Sequence, residues 1–143
     1  MISWNLVDNT GVFQDAYEEE IDNAWEEIGL LAEGFAQGYC SVDTGRLRNS
    51  INHATILGQG EDSYTDNDGN AFTGRAAKVL PDHGECYIGT NVDYAVYQEF
   101  GTSKISAANH GNGFLRPAIT DHMDKYKSVM AQRLGFFGHL SQR

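Results

Sequence analysis

The sequence predicts an α+β domain: a long N-terminal helix and a C-terminal helix packed on a small antiparallel sheet, with short connecting helices. Three observations carry this. An apolar stripe with helical spacing runs through residues 12–39, a Gly-rich middle holds short strand-like runs, and a second stripe follows Pro117. At 143 residues the chain suits one domain with a real core. It divides into an acidic helix over about 12–39, a body over about 42–134 and an apolar tail over 135–143.

In the first segment Phe13, Tyr17, Ile21, Ala24, Ile28, Leu31, Phe35 and Tyr39 recur every three or four positions. Asn9 or Thr10 can cap its start and Gly38 suits its end. About 25 helical residues span roughly 37 Å, close to the diameter of a compact domain of this size. The helix therefore either crosses the whole domain or projects from it. Next, Asp43 or Thr44 can cap a short helix with Leu47 and Ile51 inward and Arg46 and Arg48 in water. His53–Leu57 reads as a strand after a bend near Ser50–Asn52. Residues 58–75 form a polar loop or hairpin arm turning at Asp68-Gly69.

AAKVL (76–80) and ECYIGTN (85–91) are further strand candidates, with Cys86 and Ile88 on one face and Tyr87 and Gly89 on the other. DYAVYQEFGTS (93–103) favours a short helix between Asp93 and Gly101, pairing Val96 with Phe100 and Tyr94 with Tyr97. Residues 102–113 read as a mobile loop. The last helix opens near Pro117 and carries Ile119, Met123, Tyr126, Met130 and Leu134 as its stripe. The tail GFFGHLSQR is too short to form an element alone.

Net charge is −10, and the whole imbalance sits in residues 1–43, which hold ten acids and no Lys or Arg. Such a segment repels nucleic acid. It suits a solvated helix face, a dock for a basic partner, or a wall along which DNA slides. No apolar run approaches the roughly 20 residues of a membrane span, and the N-terminus lacks the pattern of a signal peptide. Cys40 and Cys86 sit 46 positions apart in no metal or redox spacing, so reduced thiols are expected.

The chemistry-bearing patterns are weak. Tyr64–Arg75 imitates a calcium loop at Asp66, Asp68 and Gly69, but Tyr64 and Arg75 stand where acids are needed. The five histidines show no metal-ligand spacing. No nucleophile elbow, Walker loop or dinucleotide fingerprint occurs. No catalytic residue, metal or cofactor is expected. Glu99 and Arg116 each sit inside an apolar cluster, where a partly buried charge wants a partner; a Glu99–Arg116 contact is expected, within a subunit or across an interface.

Three stretches, VDTGRLRNSI (42–51), DYAVYQEFGTS (93–103) and GFLRPAI (113–119), occur in an order and at distances that resemble the tail-completion, or head–tail joining, proteins of long-tailed bacteriophages. The resemblance rests on Thr44, Gly45, Leu47, Arg48, Ser50 and Ile51, then Tyr94, Ala95, Glu99, Phe100, Gly101 and Thr102, then Phe114, Leu115, Arg116, Pro117 and Ala118, with Tyr97 inside the second motif. It implies a non-enzymatic virion protein of the neck, assembled in the host cytoplasm. That protein would form a six-fold ring between the head connector or stopper and the tail terminator or tail tube, with DNA passing non-specifically through the lumen. Tyr94, Tyr97, Phe100 and Phe114 would anchor packing or the subunit contact. The N-terminal helix and Phe136–Phe137 would reach neighbours. The acidic N-terminal segment supports a different reading, a DNA mimic or regulator that binds a basic host enzyme.

Overall fold

The computed structural model describes residues 3, 8–43, 45–102 and 113–140, the last five of these by backbone alone. Its elements run α1 (Thr10–Tyr39), α2 (Arg46–Ser50), β1 (Asn52–Thr55), β2 (Gly58–Gln59), β3 (Ser63–Thr65), β4 (Ala71–Thr73), β5 (Cys86–Gly89), α3 (Ala95–Phe100), α4 (Leu115–Thr120) and α5 (Met123–Leu140). This is the α+β arrangement that the hydrophobic pattern predicts. Thr44 and residues 103–112, most of the predicted loop, lie outside the described residues.

Helix α1 is the spine. Its start is held by Asp8, whose Oδ1 accepts the Thr10 N–H at 2.9 Å and also the Thr10 hydroxyl; Asn9 takes the cap position, as the sequence allows, but its side chain makes no cap bond. These two bonds hold the Asp8 carboxyl below its usual range. Gly38 does not end the helix, which runs one residue further to an extended Cys40. The buried positions are Asp22, Ala24, Ile28, Gly29, Ala32 and Ala36; Ala24 and Ile28 belong to the predicted stripe, while Gly29, Ala32 and Ala36 take the place of its larger residues. Leu31 and Phe35 pack on its shoulder, while Phe13, Tyr17 and Tyr39 are exposed. The physical reason is close approach: small side chains let α1 lie directly against sheet and helices. Residues 10–19 are exposed on every side, so the helix crosses the body and also projects from it.

Two sheets complete the layer. β2-β1-β5 is antiparallel, with His53 opposite Ile88 and Thr55 opposite Cys86. His53 and Thr55 face α1, where Glu26 and Glu33 receive them. β3 and β4 form a separate hairpin. Its tip is closed by Asp66, whose carboxylate accepts the N–H groups of Asp68 and Asn70, and by Gly69 at φ 85°. That is a self-satisfied turn, and no helices flank it as a calcium loop would require. Segment 76–80 forms no strand, and β1 stops at Thr55. Among the described residues the exposed Val79 and Leu80 find no strand partner, so local propensity alone does not make a ladder.

The core has two lobes along α1. Ala36, Cys40, Leu47, Ile51, Val92, Ala95, Phe114 and Ala118 cluster at its C-terminal end. Ile28, Ala32, Tyr126 and Val129 cluster at its middle. The predicted C-terminal helix is two helices, broken at Asp121–His122. His122 stacks on Phe35 with ring centroids 3.5 Å apart and bonds the Tyr39 hydroxyl at 3.1 Å. Beyond the break Tyr126 is buried and Met130 packs beside it, as the stripe predicts, joined by Val129; Ile119 and Met123, on either side of the break, are exposed against that prediction. Past Gly135 the helix continues to Leu140, so residues 135–140 of the tail are part of α5; an isolated glycine costs only about 1 kcal/mol in a helix already formed.

Gly29 offers a direct check of the close approach. A Cβ there would lie 2.6 Å from His53 Cδ2 and 2.8 Å from Cys86 Sγ. Gly29→Ala is expected to destabilise by about 1 kcal/mol net, because overpacking of roughly 1–3 kcal/mol outweighs the helix propensity gained. A lowered urea midpoint at unchanged slope is the measurement.

Candidate contact surface

The residues that the sequence singles out fall into two groups. Gly45, Leu47 and Arg48 belong to the start of α2. Gly45 sits at φ 79° beneath the hairpin tip, where Asn67 fills the space a side chain would need. Leu47 enters the core. Arg46 and Arg48 are half-buried and not in water as expected; the Arg46 guanidinium lies 4.3 Å from the centre of the Phe72 ring, which folds back from the hairpin. Asn49 donates to the Thr65 carbonyl at 2.7 Å, tying hairpin to helix. This group is scaffold.

The second group is α3 and α4. Helix α3 forms as predicted, but Tyr94 and not Asp93 is its cap residue, and Gly101 closes it at φ 80°. Its inward face is Ala95 and Glu99. Its outward face is apolar: Val96 is 54% exposed, Tyr97 57% and Phe100 62%, with Tyr94 also exposed. Phe114, by contrast, is fully inside.

Glu99 joins the two helices. Its side chain is buried, and its carboxylate accepts the backbone N–H of Phe114 at 2.8 Å, Leu115 at 2.9 Å and Arg116 at 3.0 Å. A helix start leaves four N–H groups without partners. Here one carboxylate takes three, and the next residue, Pro117, has no N–H to satisfy. The Phe-Leu-Arg-Pro run is thus a helix start built for an external carboxylate. The Arg116 guanidinium is a secondary partner at 4.0 Å, half-exposed and over the Phe100 ring at 5.4 Å. So the Glu99–Arg116 pairing exists within one chain, and its stronger half is the backbone. The apolar surroundings of each charge in the sequence point to the pair, but not to the capping, which needs α3 and α4 adjacent in space.

Gly113 lets the chain pass this close. It adopts φ 81°, and a Cβ there would lie 2.6 Å from Glu99 Oε2. Gly113→Ala is expected to cost about 1–2 kcal/mol from the left-handed backbone, plus whatever the displaced carboxylate loses. In a double-mutant cycle with Glu99→Ala that second part disappears, so the two costs should sum to more than the double variant shows.

Between α3, α4 and the end of β5 runs an open groove of about 510 Å³, lined by Val92, Val96, Phe100, Leu115 and Ile119, together with the charged Asp93 and Arg116. Thr102, the last residue of the second motif, is exposed beside α3. No group of three or more His, Cys, Asp or Glu side chains among the described residues could hold a metal ion. Among the described residues the groove presents an apolar face with Arg116 in its lining. No family model, curated protein or solved structure matches the chain.

Proposed function

We propose that the chain is a structural subunit of the neck of a long-tailed bacteriophage: a tail-completion, or head–tail connector, protein that assembles as a ring joining the tail to the capsid connector. The observation that carries the reading is the Glu99-capped pair of short helices, which holds Val96, Tyr97 and Phe100 outward on a rigid support. Exposed aromatics and an arginine on a preorganised element make a protein contact surface. A head-to-tail contact that closes on itself makes a ring, here taken as six-fold. The acidic N-terminal segment would let DNA pass through or beside the ring without binding. Its neighbours would be the head connector or stopper on one side and the tail terminator or tail tube on the other.

The test is composition of purified particles. The chain is expected to sediment with them and to occupy density at the neck; its absence from complete virions would overturn the reading. A second reading, an acidic mimic of DNA, draws on the exposed Thr10–Glu19 end, which carries Asp15, Glu18 and Glu19 and no base. That reading expects instead stoichiometric capture of a basic DNA-binding enzyme, competed away by duplex DNA.

A further inference from the structure

Two surfaces of this chain are complementary and cannot meet within one copy. The first is the α3–α4 groove, apolar in its floor and edged by Arg116. The second is the projecting end of α1. Residues 10–19 cover about 15 Å of helix, lie outside the body, and carry Val12 at 71% exposure and Phe13 also exposed, beside Asp15, Glu18 and Glu19. The groove belongs to the lobe at the C-terminal end of α1, since Ala95 and Phe114 cluster with Ala36 and Cys40, and Ser41 donates to Gln98 at 3.2 Å. The projecting end lies at the other end of the same helix of 30 residues, roughly 45 Å away. A straight helix cannot bring its own start into its own groove.

We infer that the projecting end of α1 of one copy seats in the α3–α4 groove of the next copy. The inference rests on the ring reading above and names which surface meets which. Charge chooses the occupant. The segment has three carboxylates and no base, while the Arg116 guanidinium stands exposed at the groove mouth. The nearest carboxylate, Glu99, already accepts three N–H groups and so leaves Arg116 open to a further anion. Val12 and Phe13 supply apolar side chains for the floor formed by Val96, Leu115 and Ile119. Because the two surfaces differ, the contact is heterologous. It repeats from copy to copy and closes into a ring when the rotation allows.

Cysteine pairing between separately made chains tests this. Val12→Cys in one chain and Val96→Cys in another are both exposed substitutions, and the native thiols interfere little: Cys40 is buried, and burial pushes the Cys86 thiol up to about 11. Mixed at high concentration under mild oxidation, the pair is expected to give about tenfold more cross-linked heterodimer than Val12→Cys mixed with Leu57→Cys, because a docked contact raises effective concentration. Adding Arg116→Glu to the Val96→Cys chain should cut the yield severalfold. Heterodimer no more abundant than in the Leu57 control overturns the contact, as does Val96→Cys pairing mainly with itself. Particles that contain the chain but show no such cross-link overturn the contact and leave the neck reading standing. The cross-link in a chain absent from particles does the reverse.

Discussion

Glu99→Ala is expected to lower the melting temperature by roughly 10 °C, the shift that about 3 kcal/mol gives in a domain of this size. Three backbone N–H groups of Phe114, Leu115 and Arg116 lose their acceptor together. Each hydrogen bond to a charged group is worth about 1.5–3 kcal/mol, and a buried donor left unmade costs more than the bond contributed. The sum is not additive, because water can enter the space that the side chain vacates. Glu99→Gln separates charge from shape. Its amide oxygen can still accept, but its NH₂ faces an N–H donor, so about half the loss is expected. The measurement is thermal and urea unfolding of both variants. A shift below about 2 °C for Glu99→Ala, the mark of a change under 1 kcal/mol, would mean that the α4 start is satisfied otherwise. The effect should extend to assembly, since Val96, Tyr97 and Phe100 are aimed by the same short helix that Glu99 anchors.

This cap also shows how far the sequence can be read. The helix over 95–100 is legible because Val96 and Phe100 fall one turn apart and a glycine stops the run. The hairpin at 63–73 is legible because Asp66 and Gly69 satisfy their own turn. Local chemistry decides both. The three N–H groups on Glu99 come from residues 15 to 17 positions away, across a segment whose path no periodicity sets. The break at Asp121–His122 is equally hidden. It goes with a ring stack on Phe35 and a bond to Tyr39, both on α1. The buried line of α1 is legible only in part, for a related reason. Ala24 and Ile28 fall on the apolar stripe, but the partner elements come close enough that Gly29, Ala32 and Ala36 complete it in place of larger residues. Segment 76–80 has strand-like composition and, among the described residues, no strand partner.

The same limit hides His53, which looks like one polar residue in a strand and instead joins sheet to spine. Its Nδ1 lies 2.6 Å from Glu33 Oε2, its Nε2 lies 3.1 Å from Glu26 Oε1, and its backbone N–H donates to Glu33 at 3.1 Å. The Glu33 hydrogen bond raises the imidazole pKa; burial opposes it, and Glu26 adds to the rise. Burial works to raise the Glu26 carboxyl, yet the Thr55 hydroxyl and His53 together bring it below its usual range. Cys86, packed on the same side, stays a neutral thiol. The signs then set a window. A raised histidine contributes fully below its unfolded pKa near 6.5 and loses the contribution as pH climbs through the folded value. A lowered carboxyl contributes above its unfolded value near 4.5 and loses it as pH falls. The cluster should therefore hold α1 to β1 most firmly between about pH 4.5 and 6.5. His53→Ala is expected to cost about 3 kcal/mol at pH 6, a value near the low end for breaking a buried pair because Glu26 is 42% exposed. At pH 9 the cost should fall to about half, the neutral imidazole having only packing and ordinary hydrogen bonds to lose. Urea unfolding of the wild type and His53→Ala at both pH values reads the difference directly. Glu33→Gln should flatten most of the slope. A His53→Ala cost that stays the same at pH 6 and pH 9 would show that folding leaves the imidazole pKa unchanged, and would overturn the charged pairing of His53 with Glu33 and Glu26.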